Sequence, residues 1–500
     1  MNLRKVFLGH HVHLFSFRKA NDWLPSLNMP IVIIGMLICV SFARSVFLMP
    51  TKERIGLSLM ALVLGAVAIT RKWDVKAMLP AFRVCVPILL LVGYAWILAF
   101  LQPHTSPDVA PFSFWMVSGL GCFLIAYYVS ADTRLSKQSL AVLVLLLLPG
   151  VVHLAIYTYD VVSAFASGNL MVAEYIKDTS RVGRKHLSIA LTELLALSLV
   201  AVVFTSAKRN SILTLFLIAI TSIALASLDT RGAYFAILMV LFLVGMMRPV
   251  RNALIAVLFR MSPRRNVAIG FVVGVCALSA VVALIAGYSR WTQMVPSIKA
   301  GVQAETVVNH RGESWWNEKY WMPTLSPTGD KETPNCEAGI LAGCVDSSMY
   351  LRVAWARFGI VKWRQAPQGI GANQYPLHNL IERSLTDDGK QEIFRSSFHS
   401  GLIDLAICFG VPGLALMFWF VYQVLHPAYR IVAEEPENVL ILAAFLAVAL
   451  CFVRLVVDGL NEGLWYYVMM ITGMLAGFSN RRHAHMRHQI SGDRAPNLGT

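Results

Sequence analysis

The sequence predicts an all-α polytopic membrane protein with about twelve transmembrane helices and one large polar loop. Hydrophobic residues make up 57% of the 500 residues and charged residues only 14%, a balance that soluble globular proteins do not show. Apolar runs of roughly 20 residues, the length that crosses about 30 Å of hydrocarbon, recur on both sides of a mostly polar stretch. The composition, the repeated runs and this single interruption together predict the fold class.

The apolar runs define the expected helices and the domains between them. We place the spans at 29–49, 54–70, 82–102, 113–131, 139–161, 186–205, 210–228, 232–247, 267–288, 400–425, 438–459 and 461–480. The resulting domains are a first membrane region with nine helices (1–288), an outer loop domain (289–399), a second membrane region with three helices (400–480) and a cytoplasmic tail (481–500).

Positive charge sets the expected orientation. The formal net charge is +15, but the basic residues are scattered through short loops between apolar spans, as orientation signals are. Nucleic acid is therefore disfavoured as a partner, and membrane lipids are expected. Residues 1–23 contain no apolar run long enough for a cleavable signal peptide, and the stretch 481–487 is basic. We expect both termini in the cytoplasm.

Arginines on the expected outer face need a reason other than orientation. These residues are Arg181, Arg184, Arg231, Arg352, Arg357 and Arg395. A single arginine at a bilayer boundary most often extends its charged end to the surface. A guanidinium held at that depth also suits a diphosphate head group, which accepts bidentate hydrogen bonds. Arg231 follows Asp229 in a tight turn, so we expect it to be the central diphosphate ligand, with the other five as substrate-binding residues.

His399 stands where the polar loop meets the tenth span. An interfacial histidine can simply anchor a helix end. Its imidazole can also act as a general base near neutral pH, and the arginine-rich loop before it favours this interpretation. Asp404 lies five residues further along the same helix and could orient the imidazole.

Ionisable residues also occur inside the expected spans. Arg454 and Asp458 have the (i, i+4) spacing of a mutually neutralised pair that holds helices together. Glu193 has no obvious partner in the sequence, and a carboxylate inside a membrane is costly. His153 fits an interior histidine that is hydrogen bonded.

Two absences from the sequence bear on the chemistry. The chain contains no Walker sequence for ATP. Its outer loops contain no cluster of aspartates that would hold Mg²⁺ or Mn²⁺. The sequence therefore predicts a reaction that needs neither metal nor cofactor and that uses an already activated, membrane-borne donor.

Several short motifs, taken in order, resemble one superfamily. They are Ser227-Leu-Asp-Thr-Arg-Gly-Ala233, Arg352 with Trp355, Pro367-Gln-Gly-Ile-Gly371, Phe398-His-Ser-Gly-Leu-Ile-Asp404 and Gly410-Val-Pro-Gly-Leu414. With the large loop before the histidine helix, the chain resembles the O-antigen ligase and polymerase superfamily over roughly 113–425. It departs from the usual pattern at Thr230 and Ser400, where many relatives have Ser and Asn.

The resemblance implies a metal-independent, inverting glycosyltransferase of the bacterial inner membrane with its large loop and active site in the periplasm. The ligase branch, which the single late loop favours, moves an oligosaccharide or polysaccharide from undecaprenyl diphosphate to the lipid A core of lipopolysaccharide. His399 would then be the catalytic base, and Arg231 would bind the diphosphate leaving group. An O-antigen polymerase and a protein O-oligosaccharyltransferase are the enzyme alternatives. A lipid-linked oligosaccharide transporter is the non-enzyme alternative.

Overall fold

The structure is a computed structural model that describes the chain in separate stretches. The described residues are 75–103, 106–131, 136–168, 184–205, 210–228, 239, 242–243, 245–260, 292–303, 347–373, 376–377, 380, 400–436, 438–458 and 462–493. In these stretches all regular structure is helical and no strand occurs. The predicted all-α class is therefore confirmed for the part of the chain that the structure describes.

Eleven α-helices lie within the described stretches. They are α1 (Val75–Leu101), α2 (Val109–Ala131), α3 (Ser136–Ala166), α4 (Arg184–Thr205), α5 (Asn210–Ser227), α6 (Arg248–Arg260), α7 (Met294–Gln303), α8 (Ser347–Gln365), α9 (Gly401–Glu434), α10 (Val439–Asp458) and α11 (Glu462–Asp493).

Several of these helices are apolar enough to lie in a membrane. Among the described residues, three segments have the length and hydropathy to cross one, namely Leu79–Leu101, Val109–Tyr128 and Gly401–Glu434. Helices α3, α4, α5 and α10 contribute shorter apolar segments. The chain is therefore a membrane protein. The predicted spans at 29–49, 54–70 and 267–288 lie outside the described residues.

Helices α2 and α11 run side by side in the same direction, because glycines let their backbones approach closely. Gly119 lies against Trp465, Gly473 against Phe123 and Gly477 against Tyr127. Trp465 is fully buried and meets the ring of Trp115 edge to face, with 5.9 Å between ring centroids. This pair of helices forms the centre of the larger of two hydrophobic cores.

Contacts between helix ends give the relative directions of three other helices. Ser400, just before α9, donates its hydroxyl to the carbonyl of Val456 near the end of α10, at 3.0 Å. Arg454, one turn before the end of α10, donates to the hydroxyl of Ser188 near the start of α4, at 2.9 Å. The starts of α4 and α9 therefore lie with the end of α10, and this region is called the upper end below.

A salt bridge closes the opposite end of the helices. Arg482 Nε lies 2.6 Å and 2.7 Å from the two carboxylate oxygens of Glu435. The pair joins α11 to the turn between α9 and α10, and the hydrogen bond to Glu435 raises the pKa of Arg482. The alternating directions expected from the order of the spans agree with these contacts.

We predict that Gly473→Ala destabilises the protein because the new Cβ would lie 2.9 Å from the backbone carbonyl carbon of Phe123. Such overpacking costs about 1–3 kcal/mol. The measurement is the unfolding temperature in detergent. Gly93→Ala is the matched control, since no atom lies within 4 Å of a Cβ there and alanine is the better helix former. Equal unfolding temperatures for the two variants would show that α2 and α11 do not pack this closely.

Candidate functional site

The segment between α8 and α9 that carries the Pro367–Gly371 motif, residues 366–373, is called the glycine loop below. Helix α8 ends at Gln365, shortly before Pro367, which has no N–H to continue the helical pattern. Gly369 and Gly371 have φ angles of 91° and 95°, which residues with a side chain rarely adopt. The backbone path of the loop therefore requires both glycines of the motif.

Helix α9 has a kink where the glycine loop meets it. Gly410 has φ 61° and ψ −156°, far from helical values. Two residues later, Pro412 lacks the N–H that would bond to the carbonyl of Cys408 in a regular helix. The kink therefore frees backbone groups in the middle of an apolar helix. Such groups need partners within the protein, because hydrocarbon offers none.

Three backbone hydrogen bonds between the glycine loop and the kink supply these partners. They are Ile370 N–H to Ile407 O (2.9 Å), Gly371 N–H to Cys408 O (2.8 Å) and Val411 N–H to Pro367 O (2.8 Å). Gly371 takes the carbonyl that Pro412 leaves free. The motifs at 367–371 and 410–414, which are about 40 residues apart in the sequence, therefore form one structural unit.

The approach between loop and kink leaves no room for side chains. A Cβ on Gly369 would lie 2.5 Å from the carbonyl oxygen of Cys408 and 2.7 Å from the nitrogen of Gly410. A Cβ on Gly371 would overlap the hydroxyl of Ser106. The contact between the glycine loop and the kink of α9 is called the joint below. Glycine is needed there for close contact as well as for its backbone angles.

Helix α1 and the connection from α1 to α2 hold the glycine loop from the other side. The bonds are Tyr94 Oη–H to Gln368 O (2.6 Å), Ser106 Oγ–H to Ile370 O (3.4 Å) and Asp108 N–H to Ala372 O (3.3 Å). The loop is thus fixed between the kink of α9 and the connection from α1 to α2.

A buried carboxylate lies one turn below the start of α9. Asp404 is 6% exposed, and its N–H donates to the carbonyl of Ser400 at 2.8 Å. Asp404 and Asp108 both lie within electrostatic range of the Cys408 thiol. Within the described stretches, no group of three or more His, Cys, Asp or Glu residues is arranged to hold a metal ion.

Of the predicted site residues, the structure describes the side chains of two. Arg352 and Arg357 lie half-buried on α8. Arg357 donates to the carbonyl of Val302 and so joins α8 to the end of α7. The side chains outside the described residues are those of Arg181, Arg184, Arg231, Arg395 and His399.

The structure describes the backbone at or beside two of these positions. Ser400, which directly follows His399, lies at the upper end, bonded to Val456. Arg184 is the first residue of α4, one turn before Ser188, which is at the same end. Ser400 and the start of α4 are therefore both linked to the end of α10.

Arg454 has a partner that the sequence did not indicate. It is 1% exposed and bonds to Ser188 on α4, whereas the side chain of Asp458 lies outside the described residues. The same face of α4 carries Thr192, also buried. The only signal in the sequence was an arginine within an apolar run, and spacing alone could not indicate a partner on a distant helix.

A small cavity of about 240 Å³ lies beside the glycine loop. Its walls include Lys362 and Trp363 at the end of α8, Ile370 in the loop and Ile407 on α9. The cavity is smaller than the roughly 300–1,000 Å³ of typical ligand pockets. It therefore has room for only part of a large substrate.

The comparison with protein families gives a match over part of the chain. Residues 216–418 match the family model described as O-antigen ligase. Over these residues the chain is similar to the O-antigen ligase family. The predicted superfamily is thereby confirmed, and the matched region contains α8, the glycine loop and the kink of α9. Among curated proteins, no sequence matches the chain.

The matched residues do not form the upper end alone. The glycine loop and the start of α9 lie inside the matched residues, whereas Tyr94, Ser106 and Val456, which bind them, lie outside. The helices on both sides of the matched region therefore support its two motifs.

We predict that Gly369→Ala abolishes activity or folding, because the added methyl group collides with the backbone of α9. Gly168→Ala is the matched control, since Gly168 also has a positive φ of 75° but has no atom within 4 Å of a built Cβ. The control should lose no more than about 1–3 kcal/mol of stability from backbone strain. The measurements are the unfolding temperature and the activity per folded protein of the two variants. Equal behaviour of the two variants would exclude a tight joint between loop and kink.

Proposed function

We propose that the protein is an inner-membrane O-antigen ligase that transfers an oligosaccharide or polysaccharide from undecaprenyl diphosphate to the lipid A core of lipopolysaccharide. The observation that carries the proposal is the family match over 216–418, which includes both Arg231 and His399. Members of this family are glycosyltransferase-like membrane enzymes that take a lipid-linked glycan and a lipid acceptor. This favours a transferase over a transporter of lipid-linked glycans.

In the proposed reaction, His399 removes the proton from a hydroxyl of the acceptor sugar. The hydroxyl oxygen then attacks the anomeric carbon of the donor glycan from the face opposite the diphosphate. A new carbon–oxygen bond forms as the bond to diphosphate breaks, so the anomeric configuration inverts. The products are the glycosylated acceptor and undecaprenyl diphosphate, and the proton is left on the imidazole.

Arginines replace a metal in this scheme. The leaving diphosphate carries negative charge that increases as its bond to the sugar breaks, and a preorganised guanidinium stabilises that charge. Arg231 is the proposed ligand of the leaving group. Arg181, Arg184, Arg352, Arg357 and Arg395 are proposed to bind the substrates, since a guanidinium suits the bidentate binding of phosphate groups. We propose that neither ATP nor a metal takes part.

The acceptor separates the proposed ligase from its nearest alternatives. An O-antigen polymerase would use the same donor chemistry with a second lipid-linked glycan as acceptor, and a protein O-oligosaccharyltransferase would use a protein hydroxyl. The single large loop late in the chain favours the ligase. We further propose that the site faces the periplasm and that both termini are cytoplasmic.

We predict that His399→Ala lowers glycan transfer by about 10²- to 10⁴-fold, the usual contribution of a general base, without unfolding the protein. The measurement is transfer from undecaprenyl-diphosphate-linked glycan to lipid A core by purified protein in excess EDTA. His426→Ala is the matched control on the same helix, because His426 stacks on Tyr422 in the lower half of α9. Near-normal transfer by the His399 variant would refute the assignment of the base.

We predict that Arg231→Lys is also severely impaired, because a compact ammonium cannot reproduce the bidentate grip of a guanidinium on diphosphate. The effect should appear in both binding of undecaprenyl diphosphate and transfer. Arg251→Lys is the control, since Arg251 bonds to a backbone carbonyl near the start of α6, that of Gly245. Normal donor binding by the Arg231 variant would mean that this residue is a surface anchor.

A further inference from the structure

Ser400 occupies the N-cap position of α9 but does not cap the helix. A serine there commonly accepts a hydrogen bond from the first turn of its own helix. The side chain of Ser400 makes no such bond. Its hydroxyl instead donates to the carbonyl of Val456 on α10 at 3.0 Å. The hydroxyl therefore links two helices.

The bond supplies a hydrogen-bond donor to a carbonyl at the end of α10. This helix ends at Asp458, so Val456 is among its last four residues, whose carbonyls lack helical donors. Ser400 is also held through its own backbone, because its carbonyl accepts the N–H of Asp404 at 2.8 Å. The chain is thus fixed on two sides at the residue directly after His399.

The end of α10 is itself anchored. Arg454, two residues before Val456, bonds to Ser188 on α4 at 2.9 Å and is 1% exposed. Losing this bond would leave a buried charged group with one hydrogen-bond partner fewer, which is costly. The last turn of α10 therefore connects the segment that follows His399 to the start of α4, where Arg184 lies.

We propose that Ser400 is a positioning residue for the transfer reaction. Its hydroxyl fixes the backbone of the residue that directly follows His399, and the rate of transfer depends on this constraint. The proposal rests on the proposed function, because it takes His399 as the base. Ser400 acts through His399 and needs no contact with substrate.

A positioning role and a packing role differ in what the variant enzyme does. If Ser400 only packed α9 against α10, its loss would lower the amount of folded enzyme and leave kcat per folded molecule unchanged. If it aims the base, kcat falls while KM for donor and acceptor stays, because substrate contacts remain intact. Misplacement of a catalytic group by about 1 Å can lower the rate about 10²-fold.

The test compares kcat and KM, per folded enzyme, for a set of variants. Ser400→Ala should lower kcat by roughly 10- to 100-fold with KM unchanged. Ser400→Thr, which keeps the hydroxyl, should restore most of the rate. Ser400→Cys, with its weak S–H donor, should fall between them and gives a second variant if alanine prevents folding. Ser167→Ala is the control, because Ser167, directly after α3, donates to the carbonyl of Ala164 in the last turn of that helix, at 2.8 Å.

The outcomes separate this proposal from the proposed function. If His399→Ala is inactive and Ser400→Ala has wild-type kcat, the positioning role is refuted and the base assignment stands. A fall in kcat that threonine does not restore also refutes the role of the hydroxyl. If His399→Ala keeps its activity, both proposals fail together.

Discussion

The structure depends on the backbone hydrogen bonds between the glycine loop and the kink of α9. A proline and a glycine in the middle of an apolar helix leave backbone groups without helical partners, and a membrane cannot supply others. The loop at 366–373 provides them, and the loop is held in turn by α1 and the connection from α1 to α2. Any change that removes this joint would therefore expose unbonded polar groups and release the upper half of α9.

The upper half of α9 is held at two points. Its kink bonds to the glycine loop, and Ser400, directly before its first residue, bonds to Val456 near the end of α10. The residue that directly follows His399, the proposed base, is therefore fixed in position. Catalytic groups gain most from such preorganised positions.

The sequence predicts the helical class, the membrane setting and the family. These follow from the lengths of the apolar runs and from the order of short motifs, which can be read directly along the chain. It also identifies the residues of both glycine motifs. It does not predict that Gly371 bonds to the carbonyl that Pro412 leaves free, since no spacing rule relates two segments so far apart. Likewise, (i, i+4) spacing indicated Asp458 as a partner of Arg454 but gave no sign of the bond to Ser188, which spans 266 residues.

The lipopolysaccharide of a strain that lacks this protein tests the central claim most directly. Gel separation resolves bare core, core with one repeat unit and core with long glycan. If the protein is a ligase, the strain makes only bare core, and long glycan accumulates on undecaprenyl diphosphate. The wild-type gene then restores core with long glycan. Core with one repeat unit would indicate a polymerase. An unchanged ladder would contradict both a ligase and a polymerase of this glycan.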